Sequence, residues 1–339
     1  LSEEKPQRSG KDRGDQTWQG MTSTTGSTPG GMPLAYNRAP CDTLKPWITR
    51  LGVTSVNLPE GKTIECGTFG EQPILRMIFG SQWSAHTAEG LQTFSPGERG
   101  LALYFGPCTK MMRLTAHGSF KVVTVNFAPG GTLGLDLPTV EETIDRILPF
   151  DPFDRAARPH EAYIPRDDAK AWLEAAETQL LTSFSAASPR RPHDLLAEFE
   201  RLCLTDPGAS IAEFAHDRGI ARRTLERVIR KSWGVTPHFA MRRARALDMA
   251  AALLEVALEE DEPEMRLRYF DQSHVTRELR SLLDTTPGRL QKGSHPLLRI
   301  TMEIRQSRRV EILAGGTSEN PRPWRDPNAE PRSVNRTES

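Results

Sequence analysis

Residues 223–237, RTLERVIRKSWGVTP, return fifty positions later as SHVTRELRSLLDTTP at 273–287. Arg227 stands over Arg277, Arg230 over Arg280, Thr236 over Thr286 and Pro237 over Pro287. The apolar positions also pair: Leu225 with Val275, Ile229 with Leu279 and Trp233 with Leu283. Val228 against Glu278 breaks the match. A supersecondary unit used twice is the simplest account, and residues 207–300 read as helical throughout.

Each copy has the grammar of a helix-turn-helix. In the first, Ser210-Ile211-Ala212-Glu213 forms a capping box, whose side chains satisfy free amides at a helix start. The short helix behind it buries Ile211, Phe214 and Ala215, and Gly219 permits a tight turn that a Cβ would disfavour. A second helix runs from about Arg222 to Trp233. It turns Leu225, Val228 and Ile229 inward and places Arg223, Glu226, Arg227 and Arg230 on the opposite face. In the second copy the first helix is expected at Glu264–Tyr269, with Asp271 as N-cap of Gln272–Leu283. That helix buries Val275, Leu279 and Leu282 and exposes Gln272, Ser273, Thr276, Arg277 and Arg280.

Between the copies, His238–Ala257 reads as one helix with Phe239, Ala246, Leu247, Ala250, Leu253 and Leu254 as its apolar stripe. At ~1.5 Å per residue it spans roughly 30 Å, close to the ~34 Å turn of B-DNA. Such a rod can hold two helices in successive major grooves on one face of a duplex.

Overall charge hides a local pattern. The chain has 44 Lys+Arg and 44 Asp+Glu, which by itself points away from nucleic acid. Yet Arg218, Arg222, Arg223, Arg227, Arg230, Lys231, Arg242, Arg243 and Arg245 fall in one stretch with Glu226 as its sole anion. The acidic run Glu259–Glu262, followed by Glu264, comes next and is expected to face away from phosphate. A basic stripe is the footprint of polyanion binding. Arg reads guanine, Gln reads adenine and Glu accepts from cytosine, while further cations neutralise phosphates. A solvated face would carry such charges on one isolated helix; two copies, both ending in Thr-Pro, favour the binding reading.

The rest of the chain divides by composition. Residues 1–35, rich in Gly, Ser, Thr and Pro, read as a disordered tail. With Leu first, Met21 or Met32 is a candidate start, and the missing apolar stretch predicts no signal peptide. Residues 36–150 form a β domain, with strands expected at Thr54–Leu58, Ile74–Phe79, Leu101–Phe105, Met111–Ala116 and Val122–Phe127. Helices are expected at Val140–Leu148, Asp167–Phe184 and Pro192–Leu204. The last two make a bridge over 151–206, serving either domain packing or a dimer interface. Residues 301–339 read as a helix end and a second disordered tail. No apolar run is long enough to span a membrane, and the four scattered cysteines predict a reducing cytoplasm.

In Ile211–Gly219, Arg222–Arg227, Gly234-Val235-Thr236-Pro237, the linker helix, Tyr269–His274, Arg277 and Thr286-Pro287, the sequence resembles the AraC/XylS family of bacterial transcription regulators. The resemblance implies a multidomain α+β chain: a cupin-like antiparallel β-barrel or sandwich, a helical bridge and an all-α pair of helix-turn-helix units. Phe105–Thr109 and Phe127–Gly131 are the cupin-like strings. By position, the family's base-facing residues correspond to Arg223, Glu226 and Arg227, then to Gln272, Ser273, Thr276 and Arg277. Arg222, Arg230, Arg242 and Arg280 are expected to hold phosphates. The implied partners are double-stranded operator DNA, RNA polymerase, a small-molecule effector and a second copy. Ala221 stands where the family usually has a capping Ser, Arg268 where a small residue is usual, and Asp284 where the first copy has Gly234.

Phe79, Trp83, Phe94, Tyr104 and Phe105 could line an effector pocket, although aromatics in a small barrel are more often core. Three other readings make different chemical demands. A metal-dependent cupin enzyme needs converging His and carboxylate ligands, and this region offers His86 and His117 alone. A DNA alkyl-transfer protein needs an activated thiolate; Cys108 is the candidate, without a neighbouring His. An interaction protein could turn its basic helices to an acidic partner. No residue is assigned to catalysis, metal or cofactor.

Overall fold

The computed structural model describes residues 23–25, 34–58, 60–135, 137–149, 163, 168–257, 272–293 and 295–313; side chains at 23–25, 34 and 272–274 are not described. The expected first helix of the second copy, its Asp271 cap and the acidic run lie outside the described residues.

Eleven strands are described: β1 (Ser23–Thr25), β2 (Leu34–Arg38), β3 (Ile48–Val56), β4 (Ile64–Thr68), β5 (Ile74–Gly80), β6 (Trp83–Thr87), β7 (Gly90–Phe94), β8 (Gly97–Phe105), β9 (Met112–Ala116), β10 (Phe120–Phe127) and β11 (Ile147–Pro149). They form an antiparallel seven-stranded sheet, β1-β2-β3-β10-β5-β8-β11, and a four-stranded sheet, β4-β9-β6-β7. Alternation along β10 shows how the large sheet is built. Val123, Val125 and Phe127 enter one core, while Val122, Thr124 and Asn126 face the other way. The first core closes beneath helix α1 (Ala169–Ala187), which brings Trp172, Leu173, Ala176, Leu180 and Phe184 against Leu51, Val53, Leu75 and Met77. The opposite face packs on the small sheet through Ile78, Leu103, Phe105 and Val122 against Trp83, Leu114 and Ala116.

Seven more helices are found among the described residues: α2 (Asp194–Thr205), α3 (Ile211–Asp217), α4 (Arg222–Trp233), α5 (Pro237–Leu253), α6 (Gln272–Leu283), α7 (Pro287–Lys292) and α8 (Pro296–Leu313). Phe199, Phe214, Leu225, Ile229, Trp233 and Met241 make one core among α2, α3, α4 and α5. The region read as a bridge therefore divides, α1 joining the sheet and α2 the helical part.

Several expectations change. The β domain extends into the expected N-terminal tail, since Ser23–Thr25 pairs with β2. Val140–Leu148 is not a helix: a 3-10 turn at Glu141–Thr143 is followed by β11, which adds to the edge of β8. Asp145 interrupts it with a φ of 55°, and its carboxylate accepts from the amide and hydroxyl of Thr109. The linker helix has 17 residues and stops at Leu253, with Glu255 at a φ of 56°. Its length is thus about 25 Å rather than 30 Å. It is also no one-sided rod: Arg243 and Asp248 are buried along with its apolar residues. Beyond residue 300 the chain continues as α8, a helix packed on β4, α2 and α5.

Buried charge ties these parts together. Arg305 of α8 donates to Asp248 of α5 and to Glu71, in the turn between β4 and β5, at 2.8 Å. Arg243 of α5 donates to the carbonyls of Cys108 and Glu71 at 2.9 and 3.0 Å. Removing one partner strands an uncompensated buried charge. Asp248→Ala is therefore expected to cost about 3–5 kcal/mol in urea unfolding; a loss below about 1 kcal/mol, the scale of a surface pair, would show that the cluster is not cohesive.

Candidate nucleic-acid interface

The basic surface begins with a well-terminated scaffold. Ser210 Oγ accepts from the amide of Glu213 to start α3. Gly219, at a φ of 62°, makes the turn into α4 and supplies the left-handed backbone that a side chain resists. Leu225, Ile229 and Trp233 anchor α4, with Val228 half-buried. The two Thr-Pro sites behave alike. Thr236 Oγ1 accepts from the Phe239 amide and Thr286 Oγ1 from the Arg289 amide, with proline in the first turn each time. The helix ends correspond too: Gly234 and Asp284 have φ of 68° and 50°.

With the inner face fixed, the outer face follows. Arg223, Arg227 and Arg230 are exposed and carry no ion pair among the described residues. Arg222 is exposed and donates to Glu226 at 3.2 Å, one helical turn on. Lys231 extends the patch. On α6, Val275, Leu279, Leu282 and Leu283 are buried, while Arg277 and Arg280 are exposed and Thr276 is half-buried. The side chains of Gln272 and Ser273 lie outside the description. Arg289, missed in the sequence, shares a shallow recess with Arg280.

Other cations of the basic stretch turn inward or pair within the molecule. Arg242 was expected on phosphate, but its Nε donates to Glu278 at 2.6 Å and its Nη2 to Ser281 at 3.1 Å. Its charge joins α5 to α6, which also explains the acidic residue where the repeat breaks. Arg218 pairs with Glu198, Arg245 donates to the Pro207 carbonyl and Arg243 is fully buried.

The β part grips the far ends of both basic helices. A Cβ at Gly234, ending α4, would press on Ile144 and Val140 at 3.0–3.2 Å. At the end of α6, Leu282 O accepts from the Met111 amide at 2.6 Å, and Asp284 pairs with Arg113.

Between the large sheet and α8 lies a cavity of about 150 Å³. Its floor is an unusually polar sheet face, including Asn37, Arg50, Arg76 and Thr124, and Trp233 closes one side. Of the five aromatics considered for a pocket, Phe79 and Tyr104 belong to the core beneath α1, and Trp83, Phe94 and Phe105 to the core between the sheets. Only Trp83 among them reaches the cavity.

Chemistry elsewhere is quiet. Burial pushes the Cys108 thiol up to about 11, so it is protonated at neutral pH and poorly suited to attack. Among the described residues no cluster of three His, Cys, Asp or Glu is placed to hold a metal ion. No helix among them is long and apolar enough to cross a membrane.

The sequence matches no family model and no curated protein. It has neighbours among solved structures. An apo variant of ToxT from Vibrio cholerae is 11% identical with a TM-score of 0.44, over 71% of this chain and 96% of that one. ToxT from the same organism bound to unsaturated fatty acid is 10% identical with a TM-score of 0.40, over 72% and 97%. The AraC-like transcriptional activator CuxR is 12% identical with a TM-score of 0.30, over 62% and 79%. CuxR thus carries the family description that the sequence resembles, while likeness at these TM-scores adds no weight to the functional reading.

The uncapped start of α4 can be tested by substitution. Ala221 starts α4 in an extended conformation with no side-chain cap, unlike Ser210, Thr236 and Thr286. Ala221→Ser is expected to raise stability by about 1 kcal/mol in chemical denaturation; no gain would mean the Ser hydroxyl does not reach the open amides.

Proposed function

We propose that this chain is a sequence-specific DNA-binding transcription regulator. Its two helix-turn-helix units place α4 and α6 in successive major grooves. The observation that carries the reading is the free guanidinium row Arg223, Arg227 and Arg230 on α4, with Arg277 and Arg280 at the repeat-related positions of α6. A surface serving only solubility would pair such cations or mix them with anions.

Arg223, Glu226 and Arg227 read one groove segment. Gln272, Ser273, Thr276 and Arg277 read the next. Arg222, Arg230 and Arg280 hold phosphates, with Arg289 added and Arg242 removed from that set. The cavity beneath α8 is the effector site. A second copy and RNA polymerase are the protein partners that the family resemblance implies, in the cytoplasm.

Arg227→Ala is expected to lose about 1–3 kcal/mol on the selected site and to relax specificity locally. Arg230→Ala is expected to weaken all sequences evenly and to flatten the salt dependence by about one counterion. Fluorescence anisotropy on selected and scrambled duplexes across a salt series measures both. Equal losses for Arg227→Ala on the two duplexes would remove its reading role. Affinity indifferent to salt would turn the basic helices toward a protein partner.

A further inference from the structure

The second basic unit carries two acidic residues among its described side chains, Glu278 and Asp284, and each is cancelled by an arginine from outside the unit. Glu278 of α6 pairs with Arg242 of α5. Asp284, just past the end of α6, pairs with Arg113 of β9. Arg277, Arg280 and Arg289 are exposed and carry no ion pair among the described residues. The unit's anions are thus matched by borrowed cations while its own cations stay open, which leaves a surface of one sign.

Arg113 comes from the β part. Met112 and Leu114 point into the core between the sheets, so the alternation of β9 turns Arg113 out to solvent. Beside it, the Met111 amide donates to Leu282 O at 2.6 Å and sets the start of β9 against the end of α6. The first unit meets the β part differently: Gly234, which corresponds to Asp284, lies against apolar Ile144 and Val140. The ion pair at the second unit is open to water, with 63% and 58% of the two side chains exposed, and so exposed a pair adds little cohesion. What it does change is charge. Asp284 shares a recess with Arg280, Thr285, Thr286 and Arg289 and is the one anion among those five. Left unmatched, it would repel a phosphate from the two arginines beside it.

We propose that Arg113 extends the DNA interface into the β part: its charge offsets Asp284, so that the recess of Arg280 and Arg289 takes a backbone phosphate. This deepens the DNA reading and rests on it, because a recess of net positive charge needs a polyanion to meet. The β part then contributes to affinity directly, through one side chain. It does not contribute to sequence choice, since phosphates carry no base identity.

The test uses the full chain, selected and scrambled duplexes, and fluorescence anisotropy across a salt series, with thermal melts to check that each variant is folded. Arg113→Gln is expected to weaken binding roughly twofold to fivefold on both duplexes and to lower the salt slope by about one. Arg113→Lys, which keeps the charge, should retain most of the affinity. Asp284→Asn, which keeps a residue tolerant of the left-handed backbone, should tighten binding by a similar factor. The double variant Arg113→Gln/Asp284→Asn should return close to the unaltered chain. That return decides between charge and structure, because a pair that only braces α6 is not restored by removing its second half. Undiminished affinity in Arg113→Gln, or a double variant as weak as Arg113→Gln alone, would overturn the proposal and leave the regulator reading standing. DNA binding by the unaltered chain that ignores salt would refute the regulator reading, and this proposal with it.

Discussion

The cluster of Arg305, Asp248, Glu71 and Arg243 is the interaction on which the arrangement depends. Asp248 is 1% exposed and Arg243 wholly buried. Charges so deep are tolerable only while each holds its partners. Because the partners come from the β4–β5 turn, α5 and α8, the sheet, the linker helix and the closing helix are fixed by one set of bonds. Neither the β part nor the helical part can shift alone without exposing an unmatched charge.

From that anchor, the rest of the layout follows. The β part reaches the C-terminal ends of both basic helices, through Val140 and Ile144 at α4 and through Met111 and Arg113 at α6. Their exposed arginines remain outside this grip. Spacing between the two helices is thus set by contacts at their C-terminal ends. The cavity shares Glu71, Trp233 and α8 with the same structure. Any change in the shape of the cavity therefore acts on residues that hold the helices.

Legibility in the sequence varied with the physics. The helical repeat was readable because 3.6-residue periodicity, capping residues and Thr-Pro starts are local signals. The burial of Leu225, Ile229, Val275 and Leu279 follows from them directly. Strands β5, β8 and β10 were visible as apolar runs, but β4, β6 and β7 were not, since they mix polar and apolar residues around few β-branched positions. Val140–Leu148 misled because its apolar spacing suits a helix, whereas Asp145 and pairing with β8 are tertiary facts. Arg242 and Arg243 looked like members of one basic stripe; only the fold tells that Glu278 and the Cys108 carbonyl await them. Arg76 did leave a trace, a lone cation inside the strand ILRMIFG.

Hydroxyl-radical footprinting of the full chain on its selected DNA tests the central claim most directly. Two basic helices on one linker helix should protect two patches on the same face of the duplex, about 10 base pairs apart. Substituting Arg277 and Arg280 together should erase one patch and leave the other. A single protected patch, or two on opposite faces, would contradict the account.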